Sequence, residues 1–277
     1  MVDITASMVK TLRDATHVSM MECKRALQEA DGDRKKATLL LRERGIAIAA
    51  KKSTRAANEG LICSATGDNG AAALVEVNCE TDFVARNDAF VAFVNSLADH
   101  ALTTDDPIKE AVEAEVTQKV TELGENIIVR RNVRMEPNGP GKVESYVHLG
   151  GKIGVLIEVG CAKDETAQSE DFQALARDLA LHVAASNPSA MTPDELPEEE
   201  VAEERSIFAK QVEDKPAEVI DKIVEGKMRK YYEQACLLQQ GFVKEPKQSI
   251  TELLAEKGKA LGDELTVRRF AQFHLGG

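Results

Sequence analysis

Leu74-Val75-Glu76-Val77-Asn78-Cys79 and Leu156-Ile157-Glu158-Val159-Gly160-Cys161 are two versions of one segment, 158 − 76 = 82 residues apart. At the same offset Asp82 matches Asp164, Phe90 matches Phe172, Leu97 matches Leu179 and His100 matches His182. Each copy starts with apolar runs around a turn, Asp68-Asn69-Gly70 in the first and Gly150-Gly151 in the second. Each then enters an amphipathic stretch of helical period. The order reads as a hairpin followed by a helix.

A closing strand repeats as well. Gly124-Glu125-Asn126-Ile127-Ile128-Val129-Arg130-Arg131 resembles Gly262-Asp263-Glu264-Leu265-Thr266-Val267-Arg268-Arg269, at an offset of 267 − 129 = 138. The second copy therefore holds 138 − 82 = 56 extra residues before its closing strand. The Glu- and Lys-rich stretch 193–236 has helical spacing at Val201, Ile207, Val219, Ile223 and Met228. It is expected to form an inserted helical hairpin. Ile207, Phe208, Val219, Ile220, Ile223 and Val224 must then pack within the hairpin, onto the core or onto another molecule.

Upstream, residues 4–45 read as three short helices. Thr5 can cap the first, which carries Met8, Val9 and Leu12. Ser19-Met20-Met21-Glu22 has capping-box form. Gly32-Asp33 separates the second helix from the third, which Gly45 is expected to end. The fold class is α+β: a three-helix domain over 1–46, a linker over 47–59, and two duplicated subdomains with small antiparallel sheets. The subdomains span 60–140, and 141–188 with 237–277; the helical hairpin, 189–236, interrupts the second.

The chain is 43% hydrophobic and carries a formal net charge of −12. An acidic chain repels phosphate backbones, so nucleic acid is not expected as a direct partner. Met1-Val2-Asp3-Ile4-Thr5 lacks a signal pattern, and no apolar run reaches the ~20 residues of a membrane span. Five cysteines without C-x-x-C spacing suggest reduced thiols in the cytoplasm, with no metal site. Gly139-Pro140-Gly141-Lys142 lacks the spacing of a phosphate loop and reads as a turn. No cofactor motif and no catalytic set are found. The matched His100 and His182 favour a structural role, and Glu76 and Glu158 read as solvated strand carboxylates.

One segment breaks the symmetry. The first copy has Glu80-Thr81-Asp82-Phe83-Val84-Ala85, where the second has Lys163-Asp164-Glu165-Thr166. Phe83 stands opposite Glu165. It is either a cap on the local core or an exposed anchor. The lack of an apolar equivalent in the second copy tilts the choice towards the anchor.

With these residues in view, the chain resembles the bacterial elongation factor Ts family, exchange factors for the translational GTPase elongation factor Tu. The resemblance rests on Ile4-Thr5-Ala6, Leu12-Arg13, Met20-Met21-Glu22-Cys23-Lys24-Arg25-Ala26-Leu27 and the loop Glu76–Ala85. Tyr146-Val147-His148, Ile153-Gly154-Val155-Leu156, His182-Val183-Ala184-Ala185-Ser186 and Gly226-Lys227-Met228 extend it nearly end to end. It implies an N-terminal domain similar to ubiquitin-associated domains. It implies that Thr81, Asp82, Phe83 and Val84 press into the GTPase domain and disturb its bound magnesium. Arg13, Met20 and Met21 would hold the first domain against that GTPase domain. Tyr146 and His148 would lie in the half that touches another domain of the partner. The hairpin serves some members for self-association, so a homodimer is a further expectation.

The family usually has Thr-Gly-Ala-Gly before Met-Met, and here Thr16-His17-Val18-Ser19 makes a stiffer turn. The sequence stops just past the closing strand, so the extra C-terminal helix of some members is not expected. Two rival functions remain at this stage. One is a ubiquitin-like-binding adaptor that works through residues 1–50 alone. The other is an enzyme using His148 or Cys79.

Overall fold

The structure is a computed structural model that describes residues 3–16, 18–213 and 215–277, without the side chains of 217 and 218. Met1, Val2 and His17 lie outside the described residues, and with them part of the expected N-terminal pattern and of the 16–19 turn.

Helix α1 (Ala6–Thr16) begins where the Thr5 hydroxyl accepts the Met8 N–H at 3.3 Å. Helix α2 (Met20–Glu29) is capped by Ser19, whose hydroxyl accepts the Glu22 N–H. Glu22 turns to Arg25, at 2.7 Å, instead of closing the capping box. Asp31 and Gly32 reverse the chain with positive φ, and Asp33 caps helix α3 (Arg34–Lys52). Val9, Leu12, Cys23, Ala26, Leu27, Ala37 and Leu41 form the small core between the three helices.

Gly45 does not end the third helix, and the expected linker is helical as far as Lys52. The reason is tertiary. Gly45 faces helix α6 (Glu113–Leu123), and a Cβ there would lie 3.0 Å from the Thr121 hydroxyl. The packing of the two helices outweighs the weak helix propensity of a single glycine. At the end of the helix the Lys52 ammonium donates to the Gly124 carbonyl, and past it the Asn126 side-chain amide donates to the Arg55 carbonyl at 2.8 Å. The N-terminal unit is thereby fastened to the first half.

The first half contains β1 (Glu59–Thr66), β2 (Ala72–Cys79), the single turn α4 (Asp82–Ala85), α5 (Asp88–Ala101), α6 and β3 (Ile128–Met135). Its antiparallel sheet has the order β1-β2-β3. The second half contains β4 (Gly141–His148), β5 (Ile153–Gly160), α7 (Asp164–Gln168) and α8 (Glu170–Ser186). After an insert of α9 (Glu198–Lys210) and α10 (Ala217–Ala235) come β6 (Gly241–Phe242), β7 (Glu245–Ser249), α11 (Ile250–Leu261) and β8 (Thr266–His274). Its main sheet has the order β4-β5-β8. Helix α5 covers the first sheet with Phe90 and Leu97, and α8 covers the second with Phe172 and Leu179, all fully buried. Between the sheets Ile62, Leu74, Met135, Val143, Leu156 and Phe273 form a third layer of core. Strands β2 and β5 are thus buried on both faces, and both are largely apolar apart from Glu76 and Asn78 in the first and Glu158 in the second.

Glu76 and Glu158 are not solvated as expected; both are fully buried. The register of β2 with β3 slips between Glu76 and Val77, and that of β5 with β8 between Glu158 and Val159. Each slip leaves one arginine, Arg130 or Arg268, out of the ladder. Adjacent strand residues normally point to opposite faces. The bulge aims two successive arginines at one carboxylate. Arg131 Nε donates to Glu76 at 2.7 Å, with Arg130 at 3.8 Å. Arg269 Nε and Arg268 Nη1 donate to Glu158 at 2.7 and 3.0 Å.

Of the two matched histidines, His182 has the structural role expected and His100 does not. His182 is buried, and its Nδ1 accepts the Val243 N–H at 3.1 Å while Nε2 meets Gln240 Oε1 at 3.0 Å. His100 is exposed. The short β6–β7 hairpin, absent from the first half and unforeseen in the sequence, brings Val243 over His182. Helices α6 and α11 were not foreseen either; they occupy matching places before the two closing strands.

The insert joins the second half through a narrow neck, where Ser189 N–H donates to Ala235 O and Leu237 N–H to Ala190 O. Phe208, Val212, Ile220, Ile223, Val224 and Met228 pack against one another within the insert. Ile207 and Val219 stay exposed.

Burial pushes the Glu158 carboxyl up, but the Asn138 N–H and both guanidiniums outweigh it and hold the group below its ordinary value. A depressed carboxyl stabilises the fold above the unfolded value and loses that contribution as pH falls through the folded one. Glu158→Gln is expected to cost about 3 kcal/mol at neutral pH in urea unfolding. The gap from the parent should shrink steadily as pH drops below 4.5.

Candidate partner-binding surface

The chain leaves β2 at Cys79 and turns sharply into α4. One carboxylate organises that turn. Glu125, just past α6, accepts the N–H groups of Glu80 and Thr81 at 3.0 Å each and the Thr81 hydroxyl at 2.6 Å. Glu80 in return accepts the Asn126 N–H at 2.7 Å. The Thr81 hydroxyl oxygen then accepts the Val84 N–H and caps the turn. Charge-assisted bonds of this kind are short and strong, so the turn is held from both sides.

That scaffold decides where the next four side chains go. Ala85 is buried and Val84 packs on the core beside α5. Asp82 points outward and pairs with Arg86 at 3.1 Å; at such exposure the pair adds little stability. Phe83 is 83% exposed. Of the two sequence alternatives for Phe83, the structure places the ring in solvent and not over the core.

The second half shows what the fold itself needs here. Asp263 accepts the N–H groups of Ala162 and Lys163 at 3.1 Å each, as Glu125 does for Glu80 and Thr81. The Cys161 thiol donates to Lys163 O at 3.2 Å, as Cys79 does to Thr81 O. Glu165, opposite Phe83, is exposed. The carboxylate clamp therefore belongs to both copies, and the exposed aromatic belongs to one. Glu125 was missed as a site residue, although its match with Asp263 in the closing-strand repeat was visible.

The remaining expected residues lie on other elements. Arg13 is exposed on α1, and Met20 and Met21 are 45% and 60% exposed in the first turn of α2. Tyr146 and His148 lie two apart on β4, one face of an edge strand. Their rings stack at 5.6 Å, and the Tyr146 hydroxyl meets His148 Nδ1 at 2.8 Å. Among the described residues no hydrogen bond, ion pair or ring contact joins Phe83, the two methionines and the Tyr146–His148 pair. They form separate exposed points, not a pocket.

A cleft of about 500 Å³ does exist, between α3 and α6, lined by Thr38, Arg42, Ile46, Thr117 and Thr121. It does not include any of the expected site residues. The Cys79 thiol is pushed up to about 12, by burial first and then by the Glu125 charge. A thiol held protonated is a poor nucleophile. Among the described residues no group of three His, Cys, Asp or Glu side chains could hold a metal, and no helix is long and apolar enough to cross a membrane. The chemistry on offer is that of protruding apolar and acidic contacts on a rigid frame.

A family model described as Elongation factor TS matches residues 80–277. The elongation factor Ts of Nitratidesulfovibrio vulgaris (strain DP4) is 41% identical over 276 residues, covering 99% of this chain and 96% of the relative. That of Clostridium botulinum (strain Alaska E43 / Type E3) is 41% identical over 287 residues, covering 99% and 93%. That of Desulfovibrio desulfuricans is 41% identical over 283 residues, covering 99% of each chain. A family match that runs from the turn after β2 through the whole second half, together with relatives aligned along nearly their whole length, means that this chain belongs to the elongation factor Ts family.

Proposed function

We propose that this chain is a guanine nucleotide exchange factor for elongation factor Tu in translation elongation, acting in the cytoplasm without a catalytic group or cofactor. It binds the GDP-bound GTPase, presses the Thr81–Val84 tip towards the magnesium and phosphate site, releases GDP and leaves when GTP binds. The observation that carries this is the exposed Phe83 ring on a clamped turn whose counterpart in the second half has none.

An exchange factor works only by preferring the empty GTPase; equal affinity for both states shifts nothing. The coupling is reciprocal, so nucleotide weakens the factor's grip in turn. In such GTPases the magnesium is held by a phosphate-loop hydroxyl and an Asp and bridges phosphate oxygens. An acidic and aromatic tip entering that region displaces the helix that positions these groups. Burying one Phe side chain contributes about 1.5–3 kcal/mol, and about 1.4 kcal/mol is tenfold in rate. Phe83 thus accounts for about one or two decades of exchange. Contacts elsewhere supply the rest.

Arg13, Met20 and Met21 hold the N-terminal domain on the GTPase domain, and Tyr146 with His148 reaches a second domain of the partner. The fastening of α3 onto α6 supports joint action over an adaptor working through residues 1–50 alone. The hairpin over 189–236 is the self-association module, supported by the exposure of Ile207 and Val219.

Phe83→Ala is expected to melt with the parent, since the ring touches solvent. It should slow GDP release from elongation factor Tu about tenfold or more, read by stopped flow with labelled GDP; an unchanged rate removes Phe83 from the mechanism. Glu125→Ala should speed hydrogen exchange at the Glu80 and Thr81 amides and also slow GDP release. Asp263→Ala should speed exchange at Ala162 and Lys163 yet leave GDP release at the parent rate.

A further inference from the structure

The turn between β4 and β5 holds a residue that neither the fold nor the Phe83 tip accounts for. Leu149 has φ of 51°, in the left-handed region, and is 67% exposed. That backbone crowds the Cβ of a leucine, and Asn, Asp or Gly adopt it more readily in hairpin turns. Gly150 and Gly151 follow with φ of 63° and 92°, and the turn closes on His148 O through the Gly151 and Lys152 N–H groups at 3.2 and 3.1 Å.

Gly151 has a packing reason for its place. A Cβ there would lie 2.7 Å from Leu61 Cδ2, and its carbonyl accepts the Ile62 N–H at 2.8 Å, docking the turn on β1. Leu149 has no such reason, because its side chain belongs to none of the hydrophobic clusters. The matching turn in the first half is built from Gly67, Asp68, Asn69 and Gly70. Leu149 therefore costs the fold through its backbone and recovers almost nothing by burial, since its side chain is in water in the folded chain as in the unfolded one. Strain of this kind persists where a functional contact depends on it.

We infer that Leu149 is a partner-binding residue, an aliphatic anchor that enters an apolar pocket on elongation factor Tu beside the Tyr146–His148 pair. The inference rests on the exchange-factor function proposed above. Continuity carries the choice of partner: Leu149 directly follows His148, whose ring is already fixed by stacking on Tyr146 and by a hydrogen bond with its hydroxyl. The two rings are preset in this way and Leu149 follows them on a closed turn, so little freedom is lost on docking.

The test uses the full chain with Leu149→Asn, and with Leu149→Gly as a second variant. Both residues suit a positive φ, so the melting temperature should stay level or rise. The factor concentration that gives half-maximal GDP release from elongation factor Tu should rise about tenfold, as expected for one lost buried leucine. The anchor is overturned if both variants match the parent concentration. It is equally overturned if both melt well below the parent, because Leu149 is then part of the fold. A parent chain that leaves GDP release unchanged overturns the exchange function and the anchor with it. An active parent with indifferent Leu149 variants removes the anchor alone.

Discussion

Two carboxylates buried in the middle strands of the two sheets hold the halves of this molecule against each other. Glu76, in the first half, accepts the Gly276 N–H from the end of the second at 2.8 Å. Arg131, paired with Glu76, donates to His274 O at 2.9 Å. Glu158, in the second half, accepts the Asn138 N–H from the end of the first at 2.6 Å, and its partner Arg269 donates to Glu136 O at 2.7 Å. The two carboxylates stand 82 apart, and their partners share the second offset: 276 − 138, 274 − 136 and 269 − 131 all equal 138. The same bonds are made twice, in opposite senses. Burying a carboxylate costs several kcal/mol, and these bonds offset it only in one geometry. Such groups fix which surfaces meet more than they add net stability. The apolar layer between the sheets supplies the attraction, and the charges supply the register.

That frame sets the positions of the exposed groups. The Thr81 turn is fixed because Glu125 lies next to the first residues leading into β3, and β3 is placed by Arg131 and Glu76. The β4–β5 turn is fixed because Gly151 docks on β1 across the junction of the halves. Rigid supports let small apolar side chains act as contacts at low entropic cost. The N-terminal unit is joined to the same frame through α3 and α6.

The duplicated frame also separates what folding needs from what is added to it. The thiol-to-carbonyl bond and the carboxylate clamp on two N–H groups occur in both copies; the two offsets match the residues that make them, while the bonds themselves appear only in the fold. The exposed Phe83 was legible by the same comparison, as a residue without a counterpart. Glu76 and Glu158 were misjudged as solvated because alternation along a strand says nothing of a second sheet on the other face. The pairing of two successive arginines with one carboxylate was hidden too, since it needs a bulge that shifts the strand register by one residue. His100 and His182, equal in sequence, part company because only the second is covered by the short β6–β7 hairpin.

Sequence alone determined the repeat, the α+β class, the interrupting helical pair and the aromatic at the turn after β2. Each is encoded locally, in hydrophobic period, turn residues and the comparison of two copies. Tertiary structure alone decided that Gly45 lies inside a helix, that Glu76 and Glu158 are buried, and that Leu149 stands strained in solvent. Those outcomes depend on which surface faces each residue. A chain read one residue at a time carries no record of what lies across from it.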